Sequence, residues 1–248
     1  MKAVYILWLR EWKRYLRSKV QMIASLGQPV LYLVALGFGM GPMFARGGGG
    51  SYLQFITPGI IGMTILFNSV FSGIALLWDR QFGFLKETLV APVPRIRIMI
   101  GRTLGAATVA MMQGLLVAIV AMIAGFRPSS LAAIPLGLFF MLMIAIVFAG
   151  FGVVIGSSLK DMQGFQLVMN FLVLPIFFLS GALFPLDHLN LPLVIATRLD
   201  PLSYGVDGLR HALIGTTHFA TTTDITVLAC MAVALLCLGA WRFSRIEV

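Results

Sequence analysis

Leu131–Leu159, LAAIPLGLFFMLMIAIVFAGFGVVIGSSL, runs for 29 residues without a charge. As an α-helix it would be about 44 Å long. A bilayer core about 30 Å thick needs roughly 20 apolar residues per helical span, so this stretch reads as a membrane helix that tilts or extends beyond the hydrocarbon. Working outward to the charged and Pro/Gly-rich breaks on either side, the same reading gives five more spans: Val20–Phe44, Tyr52–Trp78, Ile98–Phe126, Gln163–Phe184 and Asp224–Trp241. With 59% hydrophobic residues, 11% charged and a mean hydropathy of +0.97, the 248-residue chain is too apolar for a soluble domain of its length. The expected fold class is an all-α polytopic membrane protein with six transmembrane helices.

Lys and Arg set the orientation, because cytoplasmic segments retain them. With both termini cytoplasmic, the inner segments hold 14 Lys and Arg against 5 Asp and Glu, and the outer segments hold 4 of each. The net charge of +9 therefore lies on the inner side. A basic protein distributed in this way is not expected to bind nucleic acid, since its charge follows topology and forms no aromatic-interleaved groove. No small-residue cleavage pattern closes the first apolar run, so a secretory signal peptide is not expected. Cys230 and Cys237, seven apart in the last span, read as small packing residues, with no CxxC or Cys/His ligand spacing.

The inner stretch Trp78–Arg102, WDRQFGFLKETLVAPVPRIRIMIGR, gathers Asp79, Arg80, Lys86, Glu87, Arg95, Arg97 and Arg102 between two spans. Its spacing predicts a short helix from Arg80 to Ala91, with Phe82, Leu85 and Leu89 on one side. Pro92 and Pro94 end it, because each lacks an N–H and pushes the preceding residue out of the α region. A greasy handle held between two spans suits a cytoplasmic partner. The short turn Ser157–Met162 offers a smaller contact on the same side.

Residues 1–19 combine aromatics with positive charge. Val4, Trp8, Trp12 and Leu16 share a helical face opposed by Lys2, Lys13 and Arg17, which fits a helix lying in the inner interface or a cytoplasmic extension of the first span. Within the spans, Asn68, Ser69 and Ser72, then Gln113, then Gln163, Gln166 and Asn170 are uncharged polar residues. Such groups either bond to neighbouring helices or line a path for an amphipathic solute. Gly101/Gly105 and Gly152/Gly156 are small-xxx-small pairs that permit close approach within the chain or across a dimer.

The longest outer segment spans residues 185–223. After Asp200-Pro201, an N-cap followed by a first-turn proline, Leu202, Val206, Leu209 and Leu213 recur at helical spacing opposite Asp207, Arg210 and His211. An amphipathic helix too short to span would rest on the outer interface or dip into it, as a gate or as an anchor. His188, His211 and His218 lack metal-ligand spacing.

The chain has no GxxxxGK[ST] phosphate cradle and no catalytic constellation. The hydrocarbon depth of the six spans is expected to be free of Asp, Glu, Lys and Arg, whereas ion-coupled carriers place ionisable groups there. Energy for any transport would then come from another chain.

Taken together, the basic N-terminal helix, the six spans, the inner FGFLKETLVAPVPR stretch (82–95), the outer Phe184-Pro185-Leu186 and the DPLSYGVDGLR stretch (200–210) resemble the ABC-2 type permeases. These are the membrane subunits of bacterial ATP-binding cassette exporters, including daunorubicin-resistance and nodulation-factor export groups. The resemblance implies a half-transporter in the bacterial cytoplasmic (inner) membrane, paired with a second permease copy as a homodimer, surrounded by lipid, and served by two copies of a separate ATPase. ATP and Mg would sit on that ATPase, with no cofactor and no enzyme activity on this chain.

By the same resemblance, residues 1–19 are an interfacial connecting helix and residues 20–248 the transmembrane domain. Within the domain, 79–95 is a coupling segment carrying Arg80, Phe82, Leu85, Lys86, Glu87 and Leu89. Asn68, Ser72, Gln166 and Asn170 face the path. The outer gate, 185–223, includes Pro185, Asp200, Tyr204, Asp207 and Arg210, with Phe184 immediately before it. The expected cargo is a small amphipathic molecule or drug, with lipid, lipo-oligosaccharide or polysaccharide as the alternative. A non-transporting membrane anchor or a passive channel is the reading from another class.

Overall fold

The computed structural model describes residues 2–41, 51–83, 93–159, 161–186 and 190–245. All regular elements among them are helical: α1 (Lys2–Arg17), α2 (Lys19–Gly39), α3 (Tyr52–Gln81), α4 (Arg95–Ile123), α5 (Ile134–Ser158), α6 (Met162–Leu179), α7 (Leu191–Leu199), α8 (Pro201–Ile214) and α9 (Thr221–Ser244). Six of these, α2 to α6 and α9, are long and apolar enough to cross a membrane. They coincide with the six expected spans. The first is described as Lys19–Gly39, its expected end at Phe44 lying outside the described residues, and the fifth ends at Leu179, before Phe184.

The bundle is built around α3 and α5. Helix α5 has the highest mean hydropathy, 2.9, and neither a polar stripe nor an acidic or basic end turn. A helix apolar all round belongs inside, and α5 packs against α3, α4, α8 and α9. It crosses α3 at glycines. A Cβ on Gly73 would stand 2.2 Å from the Gly152 carbonyl oxygen, and one on Gly156 would stand 2.6 Å from that of Gly73. The Gly152/Gly156 pair thus serves contact within this chain, where backbone meets backbone. Four of the hydroxyl and amide groups on the spans are satisfied locally: Thr57, Thr64, Asn68 and Thr103 each donate to the carbonyl four residues back, at 2.7 to 3.0 Å. Those bonds remove the desolvation cost of a lone donor without involving another helix.

Helix α1 lies along the start of α4. Gly101 and Gly105 open the seat for it: a Cβ on Gly101 would meet Leu7 Cβ and the Val4 carbonyl oxygen at 3.0 Å, and one on Gly105 would meet Glu11 Cβ at 2.8 Å. The Trp8 indole N–H donates to Thr108 Oγ1 at 2.9 Å. The docked face therefore runs through Val4, Leu7, Trp8, Glu11 and the buried Tyr15. Leu16, expected to share a face with Val4, Trp8 and Trp12, is exposed, and Glu11 lies inward, because its charge is met on its own helix by Arg10 at 3.2 Å and Arg14 at 2.6 Å.

At the opposite end of the bundle, α8 is inserted among α3, α5 and α9. The helix expected to rest on the outer interface or dip into it is thus sunk among three spans. Every residue from Leu202 to Arg210 is buried, Asp207 and Arg210 included. The reason is steric. Gly205 and Gly208 face Ile144 and Phe140 of α5, where a Cβ would come within 2.5 and 2.1 Å, and Gly62 of α3 receives Val206.

Helices α2 and α6 are the least enclosed spans with α9. Cys230 and Cys237 of α9 are exposed, so they point away from the bundle and do not pack inside it as expected. Helix α6 contains a π-helical turn, Met169–Val173. Pro175 lies just beyond; it has no N–H for the Phe171 carbonyl and its ring crowds that group, which widens the preceding turn. Asp161 caps the start of α6, its Oδ1 accepting from Gly164 N at 2.6 Å.

Candidate functional site

Three regions hold the residues singled out in the sequence. The first is a half-open cavity of about 370 Å³ lined by α1, α3 and α4. Helix α1 contributes Glu11, Arg14 and Tyr15, α3 contributes Asn68, Phe71, Ser72 and Trp78, and α4 contributes Ala106, Val109 and Gln113. Asn68 directs its amide nitrogen to Thr64 O at 2.7 Å and Ser72 its hydroxyl to Ser69 O at 2.6 Å. Neither of these bonds joins helices, and both side chains line the cavity. Two wall residues have buried oxygens without a hydrogen-bond partner among the described residues, Tyr15 Oη and Gln113 Oε1. Gln166 and Asn170 are not in this cavity. They lie on the exposed side of α6 beside Leu167 and Phe171, the latter 79% exposed, and Asn170 falls in the π turn.

The second region is the frame around the inner turn. Arg80 is not part of a separate helix; it closes the last turn of α3 and donates to the Leu159 carbonyl at 3.4 Å. Phe82 caps that helix with 70% of its surface exposed. Leu85, Lys86, Glu87 and Leu89 lie outside the described residues. On the far side of the turn, Arg95 donates to the Ser244 carbonyl at 2.7 Å, and Arg102 forms an ion pair with Asp79. Three arginines thus tie both ends of the turn to α3, α5 and α9, two of them by charge-assisted bonds to helix C-terminal carbonyls, where a cation also meets the negative end of the helix dipole.

The third region is the buried network around α8. Asp207 accepts from the backbone N–H groups of His218 and Phe219 at 2.9 and 2.8 Å and from Thr217 Oγ1 at 3.0 Å, clasping the turn before α9. Arg210 donates to the Gly181 carbonyl at 2.9 Å, and its guanidinium lies 4.3 Å from the Phe55 ring centroid. Tyr204 donates to the Arg198 carbonyl at 2.8 Å and stacks on Phe219. Asp200 caps α8 through Leu202 N at 2.9 Å, and burial pushes its carboxyl up to about 7, the bonds from Leu202 and Ser203 opposing this. Asp200, Tyr204, Asp207 and Arg210 are therefore brought together, whereas Phe184 and Pro185 are exposed beside the network.

Sequence reasoning missed Asp224. It is fully buried in the first turns of α9 with neither carboxylate oxygen bonded among the described residues. An acidic residue at the start of a helix reads as a solvated, dipole-favoured position, so its sequence carries no sign of burial. Gln113 and Tyr15 were equally inconspicuous, since their significance depends on three helices meeting.

Residues 2–214, from α1 to the end of α8, match the ABC-2 type transporter family. The chain is 31% identical to Nodulation protein J of Rhizobium leguminosarum bv. trifolii over 217 residues, 84% of this chain and 81% of that protein. With Nodulation protein J of Rhizobium meliloti (strain 1021) it shares 28% over 235 residues, 91% and 88% of the two chains. With Inner membrane transport permease YadH of Escherichia coli (strain K12) it shares 27% over 234 residues, 94% and 91%. Family match, relatives and six apolar helices agree: the chain belongs to the ABC-2 type transporters, as a multi-pass permease of the bacterial inner membrane.

Proposed function

We propose that this permease is half of the membrane pathway of an ATP-driven exporter, working as a homodimer above two copies of a separate ATPase, which carry ATP and its magnesium ion. The basic α1 end faces the cytoplasm, and the α8 network lies at the outer end as a gate. Segment 79–95 couples the ATPase to the bundle, with Phe82, Leu85 and Leu89 as anchors and Lys86 and Glu87 as orienting charges. The observation that carries this reading is the arginine frame. Because Arg80 and Arg95 tie the turn to the ends of α5 and α9 and Arg102 joins its two flanks, a displacement of the turn moves α3, α4, α5 and α9 together. A ligand shifts a conformational equilibrium only through different contacts in its two states, and here the partner's contacts with the turn differ as the ATPases close and open.

In the dimer, the cavity side of α3 and the amide side of α6 face the path, with Asn68, Ser72, Gln166 and Asn170 along it. The cargo is an amphipathic small molecule or drug; lipid-linked glycans are the competing class. Co-purification tests the assembly. Native chain retains the ATPase, and the pair Leu85→Asp and Leu89→Asp releases it, because two carboxylates in a buried apolar contact are left unpaired. Retention of the ATPase by that variant, with its stimulated hydrolysis intact, would remove the coupling assignment and leave the anchor reading ahead.

A further inference from the structure

The foot of α9 gathers two cations on one ring. Trp241 is 45% exposed, and the guanidinium carbons of Arg242 and Arg245 lie 5.1 and 4.4 Å from its ring centroid. Both arginines are exposed, and neither side chain meets a carboxylate or donates a hydrogen bond among the described residues. The described acidic groups at this end of the bundle are engaged elsewhere: Glu11 with Arg10 and Arg14, Asp79 with Arg102, and Asp161 with Gly164 N.

Two like charges held against one indole repel each other unless an anion joins them. A guanidinium lying over an aromatic face keeps its N–H edge free, and that edge matches two oxygens of a phosphate. The arrangement suits a phosphate with net negative charge. A headgroup that adds its own ammonium would bring a third cation to the ring.

What carries the phosphate follows from the rest of the helix. Ala234, Leu238, Trp241 and Arg245 recur at helical spacing on one exposed side of α9, which is among the least enclosed spans, so this side faces acyl chains. An apolar stripe, then an indole, then a cation is the order of chain, interface and headgroup within one leaflet. A soluble protein could reach the arginines but not the stripe above them. Phe243, between the two arginines in sequence, is buried in a cluster with Leu76, Ile98 and Met99, which fixes the foot of α9 against its neighbours. Basic sites of this kind on the cytoplasmic side of membrane helices hold anionic lipid headgroups.

We propose that Trp241, Arg242 and Arg245 form a site for the headgroup of an anionic phospholipid of the inner leaflet, with an acyl chain along Ala234 and Leu238. Arg95 holds the Ser244 carbonyl at 2.7 Å between the two arginines, so the bound lipid braces the end of α9 to which the inner turn is tied. That this bracing bears on coupling rests on the exporter reading; the binding does not.

The test titrates the full chain in detergent with phosphatidylglycerol or phosphatidylcholine of the same acyl chains, and counts retained lipids by native mass spectrometry. The first phosphatidylglycerol binds more tightly than the first phosphatidylcholine. Arg242→Gln and Arg245→Gln each weaken it about fivefold, and together roughly thirtyfold, with phosphatidylcholine unaffected. Arg242→Lys with Arg245→Lys, which keeps the charge, recovers part of the loss, while Arg198→Gln at the other end of the bundle changes nothing. In nanodiscs, replacing phosphatidylcholine by phosphatidylglycerol slows hydrogen exchange at the amides of residues 241–245 in the native chain and not in the double Gln variant. Equal affinity for the two lipids, unchanged affinity in the double Gln variant, or displacement of the lipid by millimolar inorganic phosphate overturns the proposal. Lipid retained by that variant together with loss of a co-purifying ATPase would assign the patch to the ATPase instead. Selective lipid binding by a chain that retains no ATPase would sustain the site and sink the exporter reading.

Discussion

The two short helices at opposite ends of the bundle, α1 and α8, look alike in sequence, each with an apolar series and charged residues between. Their fates differ. α1 stays on the surface of α4 with Tyr5, Ile6 and Leu16 exposed, while α8 is enclosed from Leu202 to Arg210. The difference lies in who supplies the glycines. α1 has none and rests on Gly101 and Gly105 of its neighbour; α8 carries Gly205 and Gly208 against α5 and meets Gly62 of α3. A bulky helix on a glycine seat remains peripheral, and a helix with its own glycines can be surrounded. Burial then forces its charges into a network, since an unpaired buried charge is far too costly.

The sharpest way to break this contrast is to put side chains on the glycines. Gly208→Leu drives atoms into the Phe140 ring, and the bundle should lose more than about 3 kcal/mol, read as loss of folded protein on heating in detergent. Gly101→Leu should cost less, about 1 to 2 kcal/mol, with α1 lifting from α4 and becoming protease-accessible while the spans persist. Equal losses at the two sites would remove the distinction.

Asp207→Ala comes next. It leaves the His218 and Phe219 N–H groups without their acceptor, at about 2 to 3 kcal/mol, and Asp207→Asn should recover part of that. A smaller effect follows pH. Asp200 holds a proton up to about 7 in the folded protein, whereas an unfolded aspartate releases it near 4, so its contribution to stability is full below about 4 and falls as pH rises through 7. Asp200→Asn keeps the cap and should flatten the decline of melting temperature between pH 5 and 8 by a few degrees. An unchanged slope would show that other groups cause the decline. The least effect is expected from Trp8→Phe, which removes the bond to Thr108 and should cost about 1 kcal/mol or less on unfolding.

The spans were legible because a helix in lipid must be about 20 residues long and apolar, a constraint readable without tertiary contacts. Gly152/Gly156 and Gly101/Gly105 were legible as places of close approach, although the partners were not. The α8 helix was visible from its Asp200-Pro201 start and its periodicity, yet its burial was not. Period alone cannot separate a side facing water from one facing a buried network; Gly205 and Gly208 flanking Asp207 were the available signal. Arg80 looked like part of the inner handle because it follows the apolar run, but its guanidinium reaches Leu159, a contact 79 residues away that no local pattern encodes. Asp224, Tyr15 and Gln113 gain their meaning from contacts of the same distant kind.

The central claim is that movement of the inner turn reaches the bundle through its arginine frame, and one comparison addresses it directly. ATP hydrolysis is measured for the chain co-purified with its ATPase in lipid, across a panel of amphipathic drugs and lipid-linked glycans, for the native protein and for the double variant Asp79→Asn, Arg102→Gln. The account predicts that both complexes assemble with similar basal rates, that one class of compound stimulates the native complex, and that this stimulation falls at least severalfold in the variant. Undiminished stimulation in the variant, or the absence of any complex with the native chain, would contradict it.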